Sequence, residues 1–289
     1  MFQAPFQPLA GRVALITGAN TGIGLVTARE LALRGAQVFI ACRSVERAQT
    51  ALETIRSASD TARTPQVESL ALELGDFASV RQCAQNFLGR GLPLHLLIDN
   101  AGLAGSRGLT ASGFELAFGV NHMGHFLLTQ LLLDRIKASA PARIVTVASR
   151  AHIRVTGLDW DALRQPTQSR TAIAEYGVSK LANILFSAEL GRRLANSGVT
   201  TYALHPGVVA SDVWRAVPWP LRPLMKLGMT GTEEGAATTL YCAASPEVAQ
   251  ASGLYYDRCR VKMPSSAGQD NALAAELWKR SEQWITDAS

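Results

Sequence analysis

Tyr176 and Lys180 stand four positions apart in EYGVSK, residues 175–180. In a helix, positions i and i+4 share a face, which sets the ammonium beside the phenol. A neighbouring cation stabilises phenolate and draws a tyrosine below its ordinary pKa of about 10. Such a phenol can hand a proton to an alkoxide and take one back from an alcohol. Ser149 closes the apolar run RIVTVAS (143–149), and its hydroxyl can donate to a carbonyl oxygen on which charge is building. Taken alone, the first two residues read equally as an exposed helix pair and the serine as a cap.

TGANTGIG (17–24) follows the apolar run VALIT (13–17) and opens a helix near Ile23. Gly18, Gly22 and Gly24 give the turn its backbone freedom and keep side chains away from a helix N-terminus, where a pyrophosphate binds. Asn20, Thr21 and Ile23 complete that loop. The second apolar run, QVFIAC (37–42), is followed by Arg43, with Arg47 one turn later. An acid at this strand end would hold the ribose 2′-OH of NAD, whereas a guanidinium suits the 2′-phosphate of NADP(H). The reading is therefore NADP(H), with solvated surface arginines as the alternative.

These residues need a scaffold that brings distant strand ends together. Further strands are expected at 67–74, 94–99, 143–149, 200–205 and, more weakly, 253–256. Helices are expected over 23–33, up to Ala58, over 77–88, near 121–138 and over 175–196. Strand–helix alternation implies right-handed crossovers and a parallel sheet. The expected fold is α/β, a single Rossmann-type doubly wound parallel sheet of about seven strands with helices on both faces, in one domain over 1–289. Ligands bind such sheets at the carboxyl ends of the strands, where every motif above falls.

Composition agrees. The chain has 289 residues, 47% hydrophobic and 18% charged, with 24 glycines, which is globular rather than disordered. Net charge is +5, but the 28 basic residues are scattered, and no run of like charge reads as a nucleic-acid arm. Cys42, Cys83, Cys242 and Cys259 show no zinc-like spacing, and reduced thiols in the cytoplasm are expected. No stretch approaches the ~18 uncharged apolar residues of a membrane span.

Taken in order, the motifs resemble the short-chain dehydrogenase/reductase family from Gly11 to about Tyr256. DNAG (99–102) is similar to the family's NNAG, with Asp99 replacing its first asparagine and Asn100, Ala101 and Gly102 at the cofactor. GVNHMGHFLLT (119–129) carries the active-site asparagine at Asn121, and Tyr176 and Lys180 form the YxxxK pair. HPGVVAS (205–211) resembles the PG motif, with Pro206, Gly207 and Val209 at the cofactor and Ser211 beside the nicotinamide carboxamide. GFELAFGVNHMGHFLLT and ACRS are similar to the retinol-dehydrogenase-like branch. The resemblance implies a reductase or dehydrogenase of apolar carbonyl/alcohol pairs. Lys180 would also hold the nicotinamide ribose, and Asn121 a water linking Lys180 to solvent. Glu73 and Leu74 occupy the place of the family's adenine contact, in a register that Gly75 and Asp76 blur. Homo-oligomers of the family pair through the helices holding Asn121 and Tyr176. The first residues lack the hydrophobic anchor of membrane-bound relatives.

Two long stretches flank the site, 150–175 and 212–229. The second holds Trp214 and Trp219 among other apolar residues and three prolines. It reads as a lid over an apolar or aromatic substrate, or equally as packing against the body or a neighbouring subunit. His152 and His205 are structural or substrate-side. His122 and His125 mimic metal-ligand spacing without a third ligand, so no metal is expected. Ser112 and Glu115 fit a capping box, and Asp99 is expected to accept backbone donors. A nucleotide-binding regulator without turnover, and an epimerase or dehydratase of the wider superfamily, are the competing functions.

Overall fold

The computed structural model describes residues 8–59, 65–207 and 231–288. Val209, Ser211, Trp214, Trp219 and the lid expected over 212–229 lie outside the described residues.

One sheet runs through the molecule. Its strands are β1 (Val13–Thr17), β2 (Gln37–Cys42), β3 (Val67–Ala71), β4 (Leu96–Asp99), β5 (Ala142–Val147), β6 (Val199–His205), β7 (Leu254–Asp257) and β8 (Arg260–Val261). Their order is β3-β2-β1-β4-β5-β6-β7-β8. The first seven are parallel, and β8 pairs antiparallel with β7. Among the described residues the sheet thus has eight strands rather than about seven. β8 has two residues, too few to leave an alternating pattern in the sequence. The hairpin turn before it is made by Arg258 and Cys259, both at positive φ (52° and 58°).

Along β1 the side chains alternate between two cores. Val13 and Leu15 join one, and Ala14 and Ile16 the other. Both faces are therefore covered, and the strand reads as an unbroken apolar run. The second core is closed by α1 (Gly22–Leu33), α2 (Val45–Ser57) and α7 (Thr232–Ala244). The first is closed by α3 (Phe77–Leu88), α5 (Gly124–Ala138), α6 (Ile173–Arg193) and α8 (Asn271–Asp287). The strand order reverses between β1 and β4, which fixes where a crevice opens.

The helix expected near 121–138 starts earlier, as a short α4 (Leu116–Phe118), and passes through a π turn (Gly119–Met123) into α5. Asn121 therefore lies within a helical run. Ser112 and Glu115 do not form a capping box. Ser112 Oγ instead accepts the Phe77 N–H at the start of α3 (2.8 Å), and the Glu115 carboxylate accepts the Phe118 N–H (2.8 Å).

α8 is not among the helices expected from the sequence. Trp278 stacks on Phe186 of α6 (centroids 5.9 Å) and meets Phe126 of α5 edge-on (5.1 Å), while Trp284 packs against Phe114 and Phe118. Removing a buried tryptophan of this kind costs about 3–5 kcal/mol. A homo-oligomer formed through the α5/α6 faces that α8 covers would require α8 to move aside.

Candidate active site

The glycine loop carries the signs of a nucleotide cradle. Gly18 and Gly22 have φ of 65° and 58°, the left-handed region that favours glycine. A Cβ on Gly24 would lie 2.5 Å from Asn100 Nδ2 and 2.7 Å from Gly18 O. Thr21, the N-cap of α1, makes no side-chain bond to the first-turn amides, which leaves them to a ligand. The residues present fit a dinucleotide.

The β1 and β4 ends are tied at the switch point by Thr17. Its Oγ1 accepts from Asn100 N (3.0 Å) and Ala101 N (2.9 Å), and Asn100 Nδ2 donates to Thr17 O (2.8 Å). With both acceptor positions filled, the Thr17 hydroxyl hydrogen goes to His125 Nε2, 2.8 Å away. That fixes the tautomer: His125 Nδ1 carries the hydrogen and donates to Asn121 O at 3.0 Å. Burial pushes His125 down to about 4, so it is neutral at pH 7.

Asn121 acts as a clamp, with both Nδ2 hydrogens used. Its Oδ1 accepts from Leu103 N (2.9 Å), and its Nδ2 donates to Leu103 O (3.0 Å) and Ser179 Oγ (2.9 Å). Any water it holds would have to donate to the remaining lone pair of Oδ1 or to its main-chain carbonyl, which also accepts from His125. Thr17, His125 and Ser179 are supporting residues that the sequence did not single out for this role. The signals were present as a hydroxyl ending a buried strand and a histidine four residues after Asn121 on one helix face.

β5 delivers Ser149 and α6 delivers Tyr176 and Lys180 to the same wall of one cleft. Ser149 Oγ accepts the Ala151 N–H (3.2 Å), so it also caps the short 3₁₀ turn Arg150–Arg154. Lys180 Nζ donates to Val147 O at 2.8 Å and lies 5.7 Å from the Tyr176 ring centroid. Burial pulls Lys180 down to about 7. Burial also pushes the Tyr176 phenol up, with the Ser149 hydroxyl pulling the other way. The expected lowering of Tyr176 by Lys180 is thus outweighed by desolvation in the chain by itself. A Cβ on Gly102 would lie 3.3 Å from Asn121 Oδ1 and 3.5 Å from Lys180 Nζ, so the backbone approaches these two side chains closely here.

At the other end of the cleft Arg43 Nη1 meets Glu73 Oε2 at 3.3 Å, both side chains well exposed (57% and 40%). Glu73, Leu74 and Gly75 line the cleft. Asp76 is spent as the N-cap of α3, accepting Ala78 N–H at 2.9 Å. Asn20, Thr21, Ile23, Ala101, Gly102, Pro206 and Gly207 also line it, as does His205.

Two expectations need correction. His152 does not line the cleft. It is 1% exposed, its Nδ1 donates to Ser149 O (2.6 Å) and its Nε2 accepts from Ser265 N (3.2 Å), so it braces the serine from behind. Asp99 accepts no backbone donor among the described residues. Its Oδ2 meets the Thr129 hydroxyl at 3.3 Å, its Oδ1 has no partner among the described residues, and burial pushes it up to about 8.

Comparisons with known proteins agree with this geometry. Residues 12–160 match the family model described as short chain dehydrogenase. The chain is 45% identical to mouse (Mus musculus) retinol dehydrogenase 12 over 277 residues, 93% of this chain and 85% of that protein. It is 42% identical to the zebrafish (Danio rerio) WW domain-containing oxidoreductase, covering 98% of this chain and 70% of that one. Among solved structures, an uncharacterized protein from Mycobacterium paratuberculosis superposes with a TM-score of 0.76 at 34% identity, over 98% of this chain and 96% of that one. The Pseudomonas aeruginosa RhlG/NADP active-site complex superposes with a TM-score of 0.68 at 25% identity, over 91% and 99%. With the cradle, the Tyr176–Lys180 pair and these relatives together, the chain belongs to the short-chain dehydrogenase/reductase family, in its retinol-dehydrogenase-like branch.

Proposed function

We propose that the protein is an NADP(H)-dependent oxidoreductase that interconverts an apolar or aromatic ketone or aldehyde and its alcohol. The observation that carries this reading is the convergence of Ser149, Tyr176 and Lys180 on one cleft wall beside the glycine cradle. A bound nicotinamide supplies the hydride in reduction and, once oxidised, a positive charge. Ser149 donates a hydrogen bond to the substrate oxygen as charge grows there. Tyr176, whose proton burial holds more firmly, gives it to that oxygen, and in the reverse direction takes one from the alcohol. Lys180 spends one N–H on Val147 O, which leaves two for ribose hydroxyls, and its charge favours phenolate when the alcohol is oxidised. Asn121 clamps the β4 loop to α6, so that Gly102 and Lys180 keep their spacing.

Preference for NADP(H) is supported by Arg43, Ser44 and Arg47 on the cleft at the β2 end and by the absence of an acid on that strand end. Glu73 pulls the other way, and Arg43 neutralises it. The relative RhlG was solved with NADP. An apolar substrate is supported by Leu103, Leu109, Leu116, Val120, Val155 and Ile173 on the cleft beyond Tyr176. Retinoids, which name several relatives, fall in that class. Mixing the protein with NADPH or NADH and a panel of aromatic and aliphatic ketones, and following the reduced cofactor by absorbance, tests the reading. Turnover faster with NADPH and with apolar ketones is expected. Binding of NADPH without turnover of any carbonyl would favour a regulator instead.

A further inference from the structure

We propose that the cleft rim formed by residues 150–154 and 257–263 is a docking surface for an anionic lipid bilayer. The two segments act as one unit. His152 Nε2 accepts the Ser265 N–H, the His152 ring meets Tyr255 (centroids 5.2 Å), and Lys262 N donates to Tyr255 O at 2.8 Å. On that unit Arg150, Arg154, Arg258, Arg260 and Lys262 are all exposed, and none has an ion-pair partner among the described residues. Four of these cations line a shallow hollow in which Asp257 is the single acid. The same two segments carry Ile153, Val261 and Met263, 57%, 55% and 71% exposed. These are three of the seven large apolar side chains exposed among the described residues, gathered on one unit.

The mixture selects the occupant. Unpaired cations alone would suit any polyanion, and apolar side chains alone any greasy partner. Cations flanking exposed Met, Val and Ile match a surface of negative headgroups over hydrocarbon, which takes up both kinds of group at once. Among the described residues no helix is long and apolar enough to cross a membrane, so the contact would be peripheral. The same 3₁₀ turn presents Arg150, Ala151 and Arg154 to the cleft. A bilayer resting on this rim would face the apolar cleft mouth, and a lipophilic substrate could pass between the two without crossing water. That last consequence rests on the proposed function, whereas the docking itself does not.

Vesicle sedimentation tests it, with phosphatidylcholine alone or mixed with phosphatidylserine. The protein should pellet with the mixed vesicles, and less so as salt is raised. The triple variant Arg258→Gln/Arg260→Gln/Lys262→Gln should bind them roughly 100-fold more weakly. Ile153→Ser/Met263→Ser should lose about tenfold. None of these residues belongs to the catalytic or cofactor wall, so turnover of a water-soluble ketone should stay at the wild-type rate and serves as the folding control. Absence of pelleting at low salt, or a triple variant that binds like wild type, overturns the proposal. Binding that heparin competes away and that Ile153→Ser/Met263→Ser leaves untouched also overturns it, in favour of a soluble polyanion. The salt titration of the unmutated protein keeps the test decisive even where a variant folds poorly. Vesicle binding without ketone turnover would sink the enzymatic reading and leave the docking surface standing.

Discussion

Lys180 and Arg43 line the same cleft, yet one is 3% exposed and the side chain of the other 57%. Around Lys180, desolvation sets the chemistry: the amine is drawn to about 7, and the neighbouring phenol is pushed up. Around Arg43, both partners of the ion pair with Glu73 are exposed, so water screens it. The cleft thus divides its labour by depth. On the proposed function, the groups that exchange protons are the buried ones, and those that recognise the charged cofactor are the exposed ones.

The largest effect should come from the deep end. Tyr176→Phe removes one hydroxyl, so NADPH affinity should hold while turnover falls ~10²–10⁴-fold. Near-normal turnover would erase the proposed difference between the two ends. Asp99 sharpens the comparison because it is as deep as Lys180 but outside the proton path. Its folded pKa, near 8, lies above the unfolded value of about 4, so the native state holds a proton that the unfolded state releases between those limits. Stability of the wild type relative to Asp99→Asn should therefore be greatest below pH 4 and decline as pH rises toward 8. Denaturant unfolding at pH 5 and pH 8 should show that difference change by roughly 2–4 kcal/mol. A difference that stays flat with pH would mean that Asp99 titrates like an exposed acid.

At the shallow end the effects shrink. Arg43→Ala should shift the preference for NADPH over NADH by roughly 10–100-fold, read from the two kcat/KM values, with little change in turnover at saturation. Equal use of both cofactors by the unmutated enzyme already contradicts that role. Smallest of all, Glu73→Gln should move unfolding stability by less than about 1 kcal/mol, because the ion pair it breaks is exposed. A larger loss would show that this end is built like the deep one.

Local pattern explains what the sequence revealed. VALIT, the glycine loop and EYGVSK each announce themselves within a dozen residues, through apolar runs, positive-φ glycines and helical spacing. What stayed hidden depends on partners far along the chain. Ser112 caps α3 across 35 positions, His152 meets Ser265 across 113, and His125 meets Thr17 across 108. Asp99 looked like an acceptor of backbone amides because it follows a strand. Only the packing of α5 against β4 shows that a threonine hydroxyl is what it meets.

The C-terminal helix α8 also has a consequence in time. It follows in the chain everything that it covers, so a ribosome delivers α5 and α6 before the tryptophans that close over them. Domains begin to fold while still being made, and bare apolar faces on such intermediates attract one another. Phe126 and Phe186 therefore lack this cover in the nascent chain until Trp278 docks. A stop codon ahead of residue 271 would leave the cleft-lining residues encoded and the molecule permanently in that half-made, sticky state.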